Sequence, residues 1–464
     1  MPYIAKAFNG SDGGDSRTKS TISVWVKRAK LGQLQSLWSW GENNSSDAYL
    51  RFNANDTLRF HSDGAGSPID TARVFRDTHA WYHIVCTLDG SNGTEALRRR
   101  IWINGVELVH GVSTSAFSSA VMGHNSVQDL YVGEVARQQQ SGTNAEPFIG
   151  SMSHFHYCDG FAYTAADFGS FDSSSGIWKI STAPDVSYGT HGIFLKMEDS
   201  SNMDLDSSPN ASSQLSTTGT ILSILDNPSN NFATFNNLYN HTRITFSDCN
   251  TTGSEAGNNW GSSWSSLGAM AGKWYAEFKF SWTSSGEAYV GIGTNKHIFG
   301  TASAAGGNYW AFQRDGYDYV GYSKESWGLY SNGNGENTGG TGWTGHSGAY
   351  NTGTPIIGVA FDADDKNLYL SKDGVWADGS GSWGSSTFDA AVGAVSTSAA
   401  DGDIWFFGAS PQEGSCKANF GNGYFGTDAV ASGNADSGGV GSFEYAPPTG
   451  FRALCTKNLA SYGG

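Results

Sequence analysis

The groups with which this chain could do chemistry are its carboxylates, imidazoles and aromatic rings, and their spacing limits what that chemistry can be. Retaining glycan hydrolysis needs two carboxylates about 5 Å apart, which a β-strand supplies from alternating positions. No Glu in the sequence has an acidic residue two positions later, and Glu277, followed by Phe278-Lys279-Phe280, stands alone. No G-x-S-x-G elbow, H-E-x-x-H helix or complete P-loop occurs, and the approach to one at Gly272-Lys273 ends in Trp274. His154, His156 and Cys158 alternate along a strand, a spacing open to a metal, although ordinary strand positions are the simpler reading. Asp362, Asp364 and Asp365 cluster at a hairpin tip, and Asp199, Asp204 and Asp206 form a second acidic stretch. Calcium favours such oxygen-rich loops, but Asp is also the common turn former, so calcium stays open and no other cofactor is expected. Trp327, Tyr330 and Trp343 lie in the Gly-rich residues 322–350. Their rings could stack on sugar faces while Asn and Asp bond hydroxyls, or could pack beneath a long loop. The balance points to a binding protein and not an enzyme.

Composition narrows the partners. Charged residues are 15% of the chain and the formal net charge is -16, so the surrounding field repels phosphate backbones and anionic lipid. No nucleic acid is expected as partner. No apolar stretch approaches the ~20 residues that span a bilayer, and the opening Met1-Pro2-Tyr3-Ile4-Ala5 lacks the apolar core of a signal peptide, which predicts no membrane insertion. The five cysteines are odd in number, widely spaced and never arranged as C-x-x-C. Buried free thiols are therefore expected, as suits folding in a cytoplasm.

The elements that would position these groups are strands. In Thr21-Ile22-Ser23-Val24-Trp25-Val26, the apolar Ile22, Val24 and Val26 share one face of a period-two pattern. Ile101-Trp102-Ile103 runs into Asn104-Gly105, and Leu368 to Lys372 runs into Asp373-Gly374, the strongest short-range hairpin signals. No dozen residues sustain a helical period, so the fold class is all-β: two β-sandwich (jelly-roll-like) domains in tandem. The expected divisions are a first sandwich over residues 1–199, a polar linker over 200–237, a second sandwich over 238–446 and an irregular carboxy-terminal tail over 447–464, with Pro447-Pro448 at its start.

These motifs carry a family resemblance. Ser23-Val24-Trp25-Val26-Lys27, Trp81-Tyr82-His83 and the Asn104-Gly105 hairpin resemble a laminin-G-like, concanavalin-type sandwich. Gly272-Lys273-Trp274-Tyr275-Ala276-Glu277-Phe278, Val290-Gly291-Ile292-Gly293 and Lys417-Ala418-Asn419-Phe420-Gly421 are similar to the strands of SPRY domains. Phe155-His156-Tyr157-Cys158-Asp159-Gly160, the joining Asp226-Asn227-Pro228-Ser229-Asn230 and Pro447-Pro448-Thr449-Gly450-Phe451 resemble marine bacteriophage structural proteins that carry both domains. The resemblance implies a virion component, in a tail fibre or as head decoration. It would fold in the host cytoplasm, contact other virion proteins, form a homo-oligomer and attach to a host-surface glycan. A secreted or surface lectin-like bacterial adhesin is the alternative, and a glycan hydrolase the least favoured reading. The chain enters the first sandwich at Ala7-Phe8-Asn9-Gly10, so no amino-terminal docking module is expected.

Overall fold

The structure, a computed structural model, describes residues 2–7, 18–41, 47–62, 67–108, 130–133, 146–210, 215–239, 243–257, 260–295, 303–304, 307–308, 326–333, 335–336, 349–378, 382–385, 388, 393–394 and 403–463. It is nearly all β and divides into two compact units, Met1–Ser223 and Ile224–Gly464.

The first unit is a sandwich of two antiparallel sheets. One has seven strands in the order Leu215–Thr218, Tyr3–Lys6, Leu130–Val132, Gln35–Gly41, Asp47–Phe52, Thr57–Ser62 and Ile69–Val74. The other has six: Ile193–Leu195, Gly150–Asp159, Lys19–Arg28, Tyr82–Asp89, Arg99–Ile103 and Val106–Glu107. Alternation decides which residues meet. Ile22, Val24, Ile84, Cys86, Ile101 and Phe155 of the second sheet face Leu37, Leu50, Phe52 and Phe60 of the first in one buried cluster. Asn104 and Gly105 both take positive φ, 48° and 79°, and turn the Arg99–Ile103 strand back so that Ile103 pairs with Val106. The outer face of the six-stranded sheet is also buried. Residues 160–190 lie over it and include the small hairpin of Gly169–Phe171 with Trp178–Ile180.

In the second unit one long strand organises both layers. Lys273–Thr294 pairs through residues 273–279 with Ile356–Asp362, and through residues 289–293 with Ser326–Tyr330. Trp405–Asn419 follows it along both stretches, with a register shift between Trp282 and Glu287. Trp274, Ala276, Phe278 and Phe280 before the shift, and Ala288, Val290 and Ile292 after it, belong to one buried cluster. The irregular step thus lets a single strand pair supply both walls of the core.

Two expected boundaries change. Of the presumed linker over 200–237, Leu215–Thr218 pairs with Tyr3–Lys6 at the edge of the first unit, while Phe232, Ala233 and Phe235 are buried in the second. The apolar islands in that polar stretch are what each unit recruits. The tail over 447–464 is likewise integral. Arg452–Ala453 pairs in parallel with Trp274 and Tyr275, Phe451, Leu454 and Cys455 are buried, and Thr456–Tyr462 forms a short helix.

Candidate functional site

Strand parity separates the aromatic candidates of residues 322–350. In Ser326–Tyr330, Trp327 and Leu329 point into the core, whereas Tyr330 points to the opposite face. Trp327 is 0% exposed, opposite Ile292 in register, with its ring 5.6 Å from that of Trp405. The expectation that it meets a sugar is corrected: its position on the strand makes it a core residue. Trp343 lies outside the described residues. Tyr330 is half-buried and stacks on Tyr289 with centroids 4.7 Å apart and planes 14° from parallel. Trp260, also half-buried, stands edge-on to both rings at 4.9 and 5.8 Å. Trp264 and Phe406 complete the buried part of this cluster. Sequence reasoning missed Trp260 and Tyr289. The inward Ala288, Val290 and Ile292 could have placed Tyr289 on the outer face, but nothing in the Gly- and Asn-rich surroundings of Trp260 marks its destination.

The acidic hairpin tip is occupied by its own turn. One oxygen of the buried Asp362 carboxylate accepts the backbone N–H groups of Asp364 and Asp365, each at 3.1 Å, and the other pairs with Lys273 Nζ at 2.6 Å. Asp364 accepts the Gly272 N–H at 2.9 Å. The hydrogen bond to Asp362 holds the Lys273 ammonium above its ordinary pKa. Asp199, Asp204 and Asp206 similarly accept from Ser201, from Thr217, and from Phe194 with Ser208. Among the described residues no three His, Cys, Asp or Glu side chains come together as a metal site. These carboxylates hold turns and strand ends, as Asp commonly does.

On the outer face of the six-stranded sheet, His83 lies between Trp25 and Trp178 in a stack with centroid spacings of 4.7 and 5.9 Å. Trp178 Nε1 donates to His83 Nδ1 at 2.9 Å, and His83 Nε2 is 2.9 Å from Ser23 Oγ. An indole N–H only donates, so Nδ1 is the acceptor and the neutral ring carries its proton on Nε2, donating to Ser23. A serine nucleophile needs the opposite arrangement, with the imidazole nitrogen ready to take the hydroxyl proton. His156 stacks on Phe194 at 4.1 Å, and its Nδ1 meets the Tyr188 hydroxyl at 2.9 Å. His154 sits where the pairing to Lys19–Arg28 shifts register, with φ at 49°, so the simple alternation of His154, His156 and Cys158 is broken. Burial pushes the His83 imidazole down to about 3 and lowers His154 and His156 as well, and it raises the Cys158 thiol.

Glu277, the strand carboxylate singled out from the sequence, is fully buried and enclosed by four donors. Its oxygens accept from Tyr275 Oη, Asn419 Nδ2 and the backbone N–H groups of Glu444 and Tyr445, at 2.7–3.3 Å. It fastens the carboxy-terminal segment to the sheet.

Comparison with known proteins gives a partial family match. Residues 8–160 match the family model described as the Concanavalin A-like lectin/glucanases superfamily. No curated protein matches the chain. Similar solved structures include a native heptameric SAP-like pentraxin from Limulus polyphemus, 14% identical over 48% of this chain and 91% of that one, with a TM-score of 0.29. The SPRY domain of human HERC1 is 12% identical over 40% of this chain and 96% of its own, at 0.27. Domains LG4-5 of the mouse laminin alpha1 chain are 11% identical over 98% of this chain and 84% of theirs, at 0.26.

Proposed function

We propose that this chain is a non-catalytic carbohydrate-binding protein that takes a neutral sugar on the Trp260–Tyr330 rings of its second unit. The observation that carries the reading is the rigid aromatic block itself: Tyr289 stacked on Tyr330, braced edge-on by Trp260, with the two outer rings only partly buried. Rings held by neighbouring rings lose little freedom when a sugar stacks on them. The charge of -16 favours a neutral glycan over an acidic one unless a calcium ion bridges. The word lectin in the description of the family matched by residues 8–160, which lie in the first unit, supports sugar binding by the chain as a class and bears on no residue of the second unit. The glucanase half of that description is the second reading, and the donor-enclosed Glu277 and the tautomer of His83 speak against it.

The biological setting we propose is the surface of a bacteriophage particle, in a tail fibre or as decoration. Its support is the resemblance of the joining and closing motifs to phage proteins that carry both sandwiches. Glycan-array and host-cell binding of the intact protein, with and without calcium, test the ligand. Trp260→Ala is expected to weaken binding per folded molecule by about tenfold or more, near 1.4 kcal/mol, while lowering the melting temperature far less than Trp327→Ala does. Unchanged binding by a stable Trp260→Ala protein would remove the platform. No binding by the unmodified protein would leave a purely structural role. Mass spectrometry of purified particles tests the setting, since absence from them would favour the adhesin.

A further inference from the structure

We infer that residues 160–190 form an acid-responsive cover over the outer face of the six-stranded sheet, shut by the neutral imidazoles of His83 and His156 beside His154 and released when they take up protons.

The cover has a defined attachment. Thr21 Oγ1 donates to the Phe161 carbonyl at 2.9 Å and accepts the Tyr163 N–H at 2.8 Å, and Thr87 Oγ1 donates to the Tyr163 carbonyl. Two side-chain bonds of its far part run through imidazoles: Trp178 Nε1 to His83 Nδ1, and Tyr188 Oη with His156 Nδ1. Beneath lie Val85, Trp102, Cys158 and Phe194, packed against Ala165, Phe168 and Tyr188 of the cover. At both ends stand glycines with positive φ, Gly160 at 81° and Gly189 at 68°. Next to them the Asp159 N–H donates to the Tyr188 carbonyl at 3.0 Å. The segment thus leaves and rejoins the sheet at one place, with permissive backbone at each joint.

Protonation acts on this attachment directly. A proton on His83 Nδ1 would set one N–H against the Trp178 N–H and abolish the bond. Two further imidazoles stand close enough that a charge on one disfavours a charge on the others. The closed state also leaves Trp25 Nε1 and His154 Nε2 buried without hydrogen-bond partners, and both gain water on opening. The surrounding charges do not cancel the effect. Glu198 Oε1, 3.7 Å from His154 Nε2, favours its protonation, and Lys196 opposes it. Cys158, with Asp159 and Asp167 acting on it, and Tyr188, with Asp206 acting on it, are buried groups whose pKa values are raised and which stay neutral under acid. Arg100 lies over Trp102, and Lys179 is paired with Asp172 on the hairpin. Lys27 lies two positions along the strand from Trp25.

The sign follows from linkage. The closed state holds its imidazoles below their ordinary pKa, so closure is fully favoured above about 6.5 and is lost as pH falls beneath it. Each histidine that becomes exposed multiplies the opening constant by about tenfold per pH unit in that range.

Hydrogen exchange of the intact protein, followed by mass spectrometry between pH 7.5 and 4.5 and corrected for intrinsic rates, reads this out. Peptides within 160–190 are expected to show an opening constant rising about a hundredfold or more per pH unit below pH 6, while Lys19–Arg28 stays protected. His83→Asn, whose amide oxygen stands near the place of Nδ1 without titrating, should lower that slope to about tenfold per unit. His156→Phe, which keeps the stack on Phe194, should do the same and serves if the first variant fails to fold. Joint exchange of the cover and the sheet, a slope unchanged in the variants, or no acid dependence at all would each overturn the inference.

Discussion

Single residues in this protein take their roles from the side of the strand they occupy. Trp327 and Tyr330 are three positions apart, and only Tyr330 shares a face with Tyr289 and Trp260. Trp327→Ala should therefore destabilise the second unit by about 3–5 kcal/mol, measured by urea unfolding, whereas Trp260→Ala, which loses edge-on contacts of a half-buried ring, should cost only about 1–2 kcal/mol. Glu277 shows the same dependence on place. Burial pushes its carboxyl up to about 7 although its four donors pull it the other way. A carboxyl raised in the folded state contributes stability that is present below its unfolded pKa, near 4.5, and lost as pH rises through about 7. Glu277→Gln should flatten that dependence in unfolding titrations between pH 4.5 and 7.5. It should also cost about 1–3 kcal/mol, because an amide N–H now faces donors.

Elements decide which faces are sealed. The Asn104-Gly105 turn does more than reverse a strand: a Cβ at Gly105 would run into the Trp178 ring, so the turn and the cover's hairpin fit face to face. Gly105→Ala meets both that clash and a φ of 79°, and it should lower the melting temperature of the first unit. It should also raise exchange in residues 160–190 at neutral pH, where the histidine trigger is silent. At the end of the Lys19–Arg28 strand of the same sheet, the fully buried Arg28 guanidinium donates to the Phe75 carbonyl at 2.6 Å and to Asp56 at 3.2 Å, over the Phe52 ring. Asp56→Ala leaves that charge buried without its counter-ion, and the expected loss is about 3–5 kcal/mol by urea unfolding.

At the scale of the whole molecule, each unit has its own core and draws on the polar stretch between them, Leu215–Thr218 as an edge strand of the first and Phe232 and Phe235 as buried residues of the second. Residues 1–223 and 224–464, produced separately, should each unfold cooperatively with β-type circular dichroism. Cutting at 199 should instead weaken the first unit, which loses Leu215–Thr218, and cutting at 237 should weaken the second, which loses Phe232 and Phe235.

The sequence alone is enough for the all-β class, the two sandwiches, the turns at Asn104-Gly105 and Asp373-Gly374, and a charge unsuited to polyanions, because period-two patterning, turn chemistry and net charge are local or additive properties. It could not decide which of two aromatic faces meets the core, since alternation fixes that neighbours point apart and leaves open which one points inward. That choice belongs to long-range pairing: Trp327 is inside because Ile292 lies opposite it, and Tyr330 is outside because Tyr289 does. The enclosure of Glu277 by Glu444 and Tyr445, and the meeting of His83 with Trp178, join residues 167 and 95 positions apart. No spacing in the chain encodes contacts of that range, and only the packed tertiary structure creates them.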